Sequence, residues 1–286
     1  MTAPTLTVVT PSFNHAGYLE RTIASVLEQD YPALEFVIVD GGSDDGSVEI
    51  IRAHEQHLAW WVSERDDGQA DAINKAIERT RGEIIAYINS DDHYMPGAFA
   101  RAVAALERSG AGWVAGGSLD LFDGDPPTDL GVWQPAPPAA SERRLRGRHW
   151  WVLAPWHVPQ PSCFWRREMF EHHGLFRRDL ANTFDAEFML RLALAGEEPE
   201  LLPDDVLAVR LGHPGQKSGD RGRSRAEIRR FGELFASELD PRERRMLRLL
   251  APPVAAWRAF RETLLDPGLR FGGRLLERVP ASLRPR

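Results

Sequence analysis

The feature that most constrains this chain is an alternation of apolar runs and helical spacing through its first ninety residues. Leu6-Thr7-Val8-Val9-Thr10 reads as a strand ended by Pro11. Leu34-Glu35-Phe36-Val37-Ile38-Val39-Asp40 reads as a second, apolar enough to be covered on both faces. Ala59–Val62 offers a short third strand and Ile84–Asn89 a fourth. Between them Leu19, Ile23, Val26 and Leu27 share one helical face before Tyr31-Pro32. Ser47–His57 suits a second helix. Ala72, Ile73, Ala76 and Ile77 repeat the spacing within Gly68–Thr80, which Gly82 closes. Such alternation predicts an α/β fold: a doubly wound, mostly parallel sheet with helices on both faces. Ligands gather at the carboxyl ends of the strands in these sheets, where Thr10-Pro11-Ser12, Asp40 and Asp91-Asp92 fall.

The second half is less regular. Pro96–Ser109 suits a helix, Gly112–Phe122 a strand or hairpin, and Asp123–Ser141, crowded with Pro and Gly, a surface loop. Arg166–His173 and Phe184–Ala195 have helical spacing with Gly174 and Gly196 as stops, and Leu201–Leu211 is extended. With 43% hydrophobic and 27% charged residues the chain is too apolar for wholesale disorder. One cysteine, Cys163, excludes an intrachain disulfide framework or a cysteine-rich zinc site. Met1-Thr2-Ala3-Pro4 leads almost directly into a strand, without the basic and apolar regions of a secretory signal. No apolar run reaches the roughly 18 residues of a membrane span. A cytoplasmic protein is expected.

Paired acids at a strand end, Asn89-Ser90-Asp91-Asp92, suit a hard divalent cation that takes its remaining oxygen ligands from phosphate and water. A turn or helix cap is the plainer use of such a pair.

Several ordered segments together resemble a family-2 glycosyltransferase of the GT-A fold. They are Val8–Asn14 with Tyr31-Pro32; Glu35–Ser47; Ser63-Glu64-Arg65-Asp66-Asp67-Gly68-Gln69 with Asn74-Lys75; Gly82–Ile85; and Asn89–Asp92. Gln160-Pro161, Phe184-Asp185-Ala186-Glu187 and His213-Pro214-Gly215 follow. The match runs from about Thr5 to about Ser218. It implies an inverting, metal-dependent transfer of sugar from a nucleoside-diphosphate sugar, with a uridine nucleotide expected, to a hydroxyl of a glycan or lipid-linked acceptor. Bacterial cell-surface polysaccharide synthesis is the implied setting.

The resemblance also implies roles. Asp40 would accept a hydrogen bond from the nucleobase, its alternative being a turn-initiating acid before Gly41-Gly42. Thr10, Pro11 and Ser12 would line the nucleotide cleft, and Glu64, Asp67, Gln69, Lys75 and Asn89 would border ribose and diphosphate. Lys75 as a solvated charge is the alternative. Asp92 would ligate Mn²⁺ or Mg²⁺ directly, with Asp91 toward ribose or a metal-bound water. His213 would be a third ligand or phosphate donor, and Lys217 would lie over the diphosphate. Asp185 would be the general base, or else a helix cap; Phe184 and Glu187 depart from the acids usual beside it. Trp150, Trp151 and Trp156 would stack on sugars or pack in the core.

The expected division is a glycosyltransferase domain over 1–220 and a helical tail over 221–286. That tail carries 16 Arg and no Lys against 8 acids, a net of +8 within a chain of net −7. Its basic amphipathic pattern suits an anionic membrane surface at the inner face of the plasma membrane, or packing against the body or a partner. Nucleic acid is not an expected partner, because the body is acidic and no recognition motif is present. Two rival readings remain from the sequence. A nucleotidyltransferase would want a Gly- and Arg/Lys-rich first loop, which Thr10–Asn14 does not supply. A non-catalytic nucleotide-sugar-binding or membrane-scaffold protein would keep the cleft without the base.

Overall fold

The computed structural model describes residues 2–123, the backbone of 128–133, residues 158–214, 216 and 217, and eight positions between 222 and 241. The first half is the expected alternation. Strands β1 (Leu6–Ser12), β2 (Leu34–Asp40), β3 (Trp60–Ser63) and β4 (Ile84–Tyr87) lie parallel in the order β3-β2-β1-β4. Helices α1 (Ala16–Leu27), α2 (Ser47–Ala53) and α3 (Gln69–Arg79) connect them, α2 ending in a 3₁₀ turn at Glu55–His57. Strand β1 runs two residues past the Thr10 end expected for it. The β4 ladder stops at the Val9↔Tyr87 pair, so Pro11 stands where β1 is paired only with β2. A residue without an N–H costs little at such a position.

The second half turns the sheet mixed. After β5 (His93–Tyr94) and α4 (Ala98–Ser109) come β6 (Trp113–Phe122) and β7 (Thr128–Trp133). Strand β7 pairs antiparallel with β6 inside the stretch expected to be a loop. Strand β8 (Cys163–Arg166) inserts antiparallel between β4 and β6, followed by α5 (Arg167–His173) and α6 (Phe184–Ala195). The last strand, β9 (Glu200–Gly212), runs parallel to β6 and antiparallel to β5. That short pairing, with His93 opposite Val209, brings the end of β9 beside the turn that follows β4.

Two apolar layers clamp the sheet. Leu19, Ile23, Ile51, Phe99 and Leu106 cover one face from α1, α2 and α4, and Ile73, Phe170, Phe184 and Phe188 cover the other from α3, α5 and α6. Close packing of β1 on the loop before β4 depends on Gly82, since a Cβ there would collide with the side chain and amide of Thr7. Among the described residues no helix is long and apolar enough to cross a membrane. The tryptophans at 150, 151 and 156 lie outside the described residues, as does most of the basic tail. Where that tail is described it touches the body: Arg230 pairs with Asp179 at 2.7 Å, and Glu227 is buried against residues 181–183.

Candidate active site

The carboxyl ends of β1, β2 and β4 come together at one rim of the sheet, and β9 delivers a fourth segment. Asn14, with φ of 52°, turns the chain after β1 into the left-handed region, so that His15 starts α1 facing the β4 turn. The turn is laced to the loop after β2: Asn14 N–H donates to Ser43 Oγ (2.8 Å) and Asp44 N–H to Asn14 Oδ1 (3.0 Å).

Asp40 is fully buried. Its carboxylate accepts N–H groups from Gly42 (3.1 Å) and Ser43 (2.8 Å), and the hydroxyls of Ser43 (2.6 Å) and Ser63 (2.7 Å). Gly42 makes this possible, its φ of 85° bringing two successive amides back onto one carboxylate. Asp40 therefore makes the turn that the sequence offered for it, while its Oδ1, bonded among the described residues to the Ser43 hydroxyl alone, keeps a lone pair for a base. Beside it, Gly41 lies against Asp66 and the exposed ring of Phe13, neither of them singled out from the sequence. Thr10 and Ser12 are buried, and neither hydroxyl has a hydrogen-bond partner.

At the end of β4, Thr22 of α1 places its hydroxyl 2.9 Å from the Ser90 carbonyl and 2.6 Å from that of Asp92, donating to one at a time. Asp92 points inward. Its Oδ1 accepts the Leu211 N–H at 2.9 Å and its Oδ2 faces the Asn89 amide at 3.3 Å. Burial, and then the neighbouring charge of Asp91, push its carboxyl well above the usual carboxylate range. Asp91 turns the other way, and its Oδ2 lies 3.0 Å from His213 Nε2. His213 in turn stacks on Tyr18, with ring centroids 4.7 Å apart. His15, for which the sequence offered no signal, completes a group with them: its Nδ1 lies 2.7 Å from Ser90 Oγ, and ligand atoms of His15, Asp91 and His213 all fall within 4.8 Å of one another.

A polar relay crosses the rim from there. Lys217 Nζ donates to Gln69 Oε1 (3.1 Å), Gln69 Nε2 to Asn89 Oδ1 (2.5 Å), and Asn89 leads to Asp92. Asp185, which feels the charge of Lys217, lies in the first turn of α6 and accepts the Ala186 N–H at 2.8 Å. Burial pushes its carboxyl up to about 6, partly offset by the amides of Ala186 and Asp185 and by the charges of Lys217 and Arg210. Phe184, which stands where an acid was expected, anchors this helix, packing 5.3 Å from the Phe176 ring. Burying such a ring contributes about 1.5–3 kcal/mol. Glu187 is also structural: it pairs with Arg191 (2.6 Å), which donates to the carbonyls of His173, Gly174 and Leu175 at the end of α5. The remaining sequence candidates group apart. Lys75 bridges Glu64 (3.0 Å) and the buried Asp71 (3.2 Å), and Asp67, exposed, donates its backbone N–H to Asp71.

Residues 7–174 match the profile of glycosyl transferase family 2. An uncharacterized glycosyltransferase of Mycobacterium tuberculosis is 34% identical over 197 residues, 68% of this chain and 71% of that one. The chain belongs to glycosyl transferase family 2. TuaG of Bacillus subtilis, named for teichuronic acid biosynthesis, is 37% identical over 43% of this family-2 chain and 50% of its own. Among solved structures, the mannosyltransferase PcManGT of Pyrobaculum calidifontis, in complex with GDP-Man and Mn²⁺, superposes with a TM-score of 0.63. It is 24% identical and covers 92% of this chain and 76% of its own. S. aureus TarS 1–349 in complex with UDP-GlcNAc gives a TM-score of 0.59 at 18% identity, covering 80% of this chain and 66% of its own. The fold is therefore that of the GT-A glycosyltransferases, and the enzyme spans about half of TuaG and two thirds of the TarS fragment.

Proposed function

We propose that this glycosyltransferase moves a sugar from a nucleoside-diphosphate sugar to a hydroxyl of a glycan or lipid-linked acceptor, with inversion, in cell-surface polysaccharide synthesis. The observation that carries the reading is Asp185. A carboxyl held at about 6, on the first turn of a helix anchored by Phe184, is ionised at neutral pH yet basic enough to take a hydroxyl proton. Inverting transfer is a single displacement and needs one such base. The names of TuaG and TarS support the cell-surface setting, and the bound GDP-Man and UDP-GlcNAc of the two solved structures support a nucleotide-sugar donor.

We assign the divalent cation, Mn²⁺ or Mg²⁺, to Asp91 and His213, whose ligand atoms converge at the rim, while Asp92 turns inward to Leu211 and Asn89. The donor set fits: a carboxylate and an imidazole converge at 3.0 Å, a spacing suited to neighbours on one ion. When bound, such a cation neutralises charge on the departing diphosphate. Lys217 and Gln69 would orient the same diphosphate through the relay to Asn89. Thr10 and Ser12, with unpartnered hydroxyls, would border the nucleotide, and Asp67, Glu64 and Lys75 would form its outer edge. Peripheral attachment to the inner face of the membrane would fall to the basic tail.

A panel of UDP-, GDP- and dTDP-sugars screened by thermal shift, with and without Mn²⁺, tests the reading. One donor class should raise the melting temperature in a cation-dependent way. No stabilisation by any nucleotide-sugar, with cation or without, would refute it.

A further inference from the structure

Resting on that reading, we propose that His15 is a third protein ligand of the cation, and that this chain accordingly selects a nitrogen-accepting transition ion such as Mn²⁺ or Co²⁺ over Mg²⁺. Three observations carry the inference.

The first is proximity. Ligand atoms of His15, Asp91 and His213 fall within 4.8 Å of one another, although the three residues come from the start of α1, the turn after β4 and the end of β9. Atoms bonded to one ion at roughly 2.1 Å and at right angles lie about 3 Å apart, and atoms on opposite sides about 4.2 Å. The His213–Asp91 separation of 3.0 Å matches the first value. The full spread of 4.8 Å exceeds the second by about 0.6 Å, a distance side-chain rotation supplies.

The second is orientation. His15 is not a loose surface ring. Its backbone N–H donates to Ser47 Oγ (3.2 Å), its carbonyl accepts from Tyr18 and Leu19 at the start of α1, and its Nδ1 meets Ser90 Oγ at 2.7 Å. A polar partner on one ring nitrogen is what fixes a ligating imidazole and leaves the other nitrogen to the metal. Ser90 is the residue immediately before Asp91, so the same turn that offers the carboxylate also aims the ring.

The third is the donor chemistry. Mg²⁺ prefers oxygen, keeps several waters and rarely takes imidazole, whereas two imidazoles and a carboxylate suit later divalent ions. One histidine beside an acid is compatible with either class; a second tips the set. An aromatic cluster is the competing account, because His15 also packs edge-on against Tyr18 and His213 at 6.0 and 5.8 Å. Packing alone, however, predicts no change in metal preference when the ring is replaced by an amide.

The full chain is titrated with Mn²⁺ by electron paramagnetic resonance, alone and with UDP or GDP added, and Mg²⁺ is used as competitor. His15→Asn should weaken Mn²⁺ at least tenfold while leaving the Mg²⁺ constant within about twofold, so the Mn²⁺/Mg²⁺ preference collapses. Spin-echo modulation of bound Mn²⁺ should show two imidazole nitrogens in the wild type and one in His15→Asn. A wild-type spectrum with one imidazole overturns the inference without any variant having to fold. Equal Mn²⁺ affinity in His15→Asn overturns it too, and both results leave the Asp91–His213 assignment standing. Absence of bound Mn²⁺ in the wild type under every condition, with Asp91→Asn indistinguishable from it, overturns the His15 ligand and the cation assignment together.

Discussion

Replacing Asp185 with Asn should stop transfer and make the protein more stable, a pairing expected only if the fold holds this carboxyl against its solvation preference. The folded group titrates near 6, against an ordinary value of 3.8, because it is withdrawn from water. Between those two values the folded chain holds a proton that the unfolded chain has released. The raised value therefore favours the fold fully below about pH 4 and is lost as pH climbs through about 6. At pH 7 the ionised carboxylate thus carries a cost. Each pH unit of displacement is worth about 1.4 kcal/mol, which puts the upper bound near 3 kcal/mol. Residual solvent contact lowers this, and about 1–3 kcal/mol is the expected range. Asn keeps the shape and its Oδ1 can still accept the Ala186 N–H, so the substitution removes the charge and little else.

The assay is urea unfolding of both proteins at pH 4, 5, 6 and 7. The variant's advantage should be near zero at pH 4, should grow through pH 5 and 6, and should level off at pH 7. In parallel, kcat/KM of the wild type should fall about tenfold per unit below pH 6, and Asp185→Asn should lose a factor of about 10²–10⁴ while still binding donor. A variant that is destabilised at pH 7, or whose stability difference is flat with pH, would show that Asp185 is not desolvated. The base would then have to be sought elsewhere.

Two further outcomes concern segments outside the family profile. Glu227 receives two amides and the Thr183 hydroxyl just before the helix that carries Asp185, and these bonds hold its own carboxyl below the usual range. Glu227→Ala should cost about 1–3 kcal/mol of stability and lower kcat with little change in donor KM, whereas Glu227→Gln should recover part of both; equal loss in kcat and donor affinity would contradict a role confined to positioning the base. Deleting residues 242–286 should abolish co-sedimentation with anionic vesicles, in a manner sensitive to salt, without lowering the melting temperature. Retained binding after the deletion would exclude the tail as the membrane contact.

The first half of the fold was legible because each of its signals is local. The apolar runs of β1, β2 and β4 and the spacing of α1 and α3 report burial directly, and a parallel sheet with crossover helices follows from their order. Strands β5 and β8 were not legible. Two residues, His93 and Tyr94, carry no period, and Cys163–Arg166 reads as easily as the start of the following helix. Both are strands only because β9 and the β4/β6 gap lie beside them. Strand β7 was hidden for a related reason: its alternation is short and follows Pro126-Pro127, which reads as a loop. Pairing partners distant in sequence decided all three.

The site divides along the same line. Acids at strand ends marked the rim of the sheet, but not which oxygen faces out. Asp91 and Asp92 are adjacent and chemically identical, and the division between them is made by Leu211, over a hundred residues away, whose N–H occupies Asp92. Asp40 ends a buried strand, and the Gly41-Gly42-Ser43 turn that the sequence also offered for it is formed on its carboxylate. His15 had no pattern around it at all. A lone histidine at a helix start acquires meaning only when a left-handed residue before it and a serine in the turn after β4 aim its ring at an acid. In this fold the residues that sequence pattern marks most strongly are therefore those that build the rim. The partnerships across that rim are made by β9 and α6, over ninety residues away in sequence from the strands that build it.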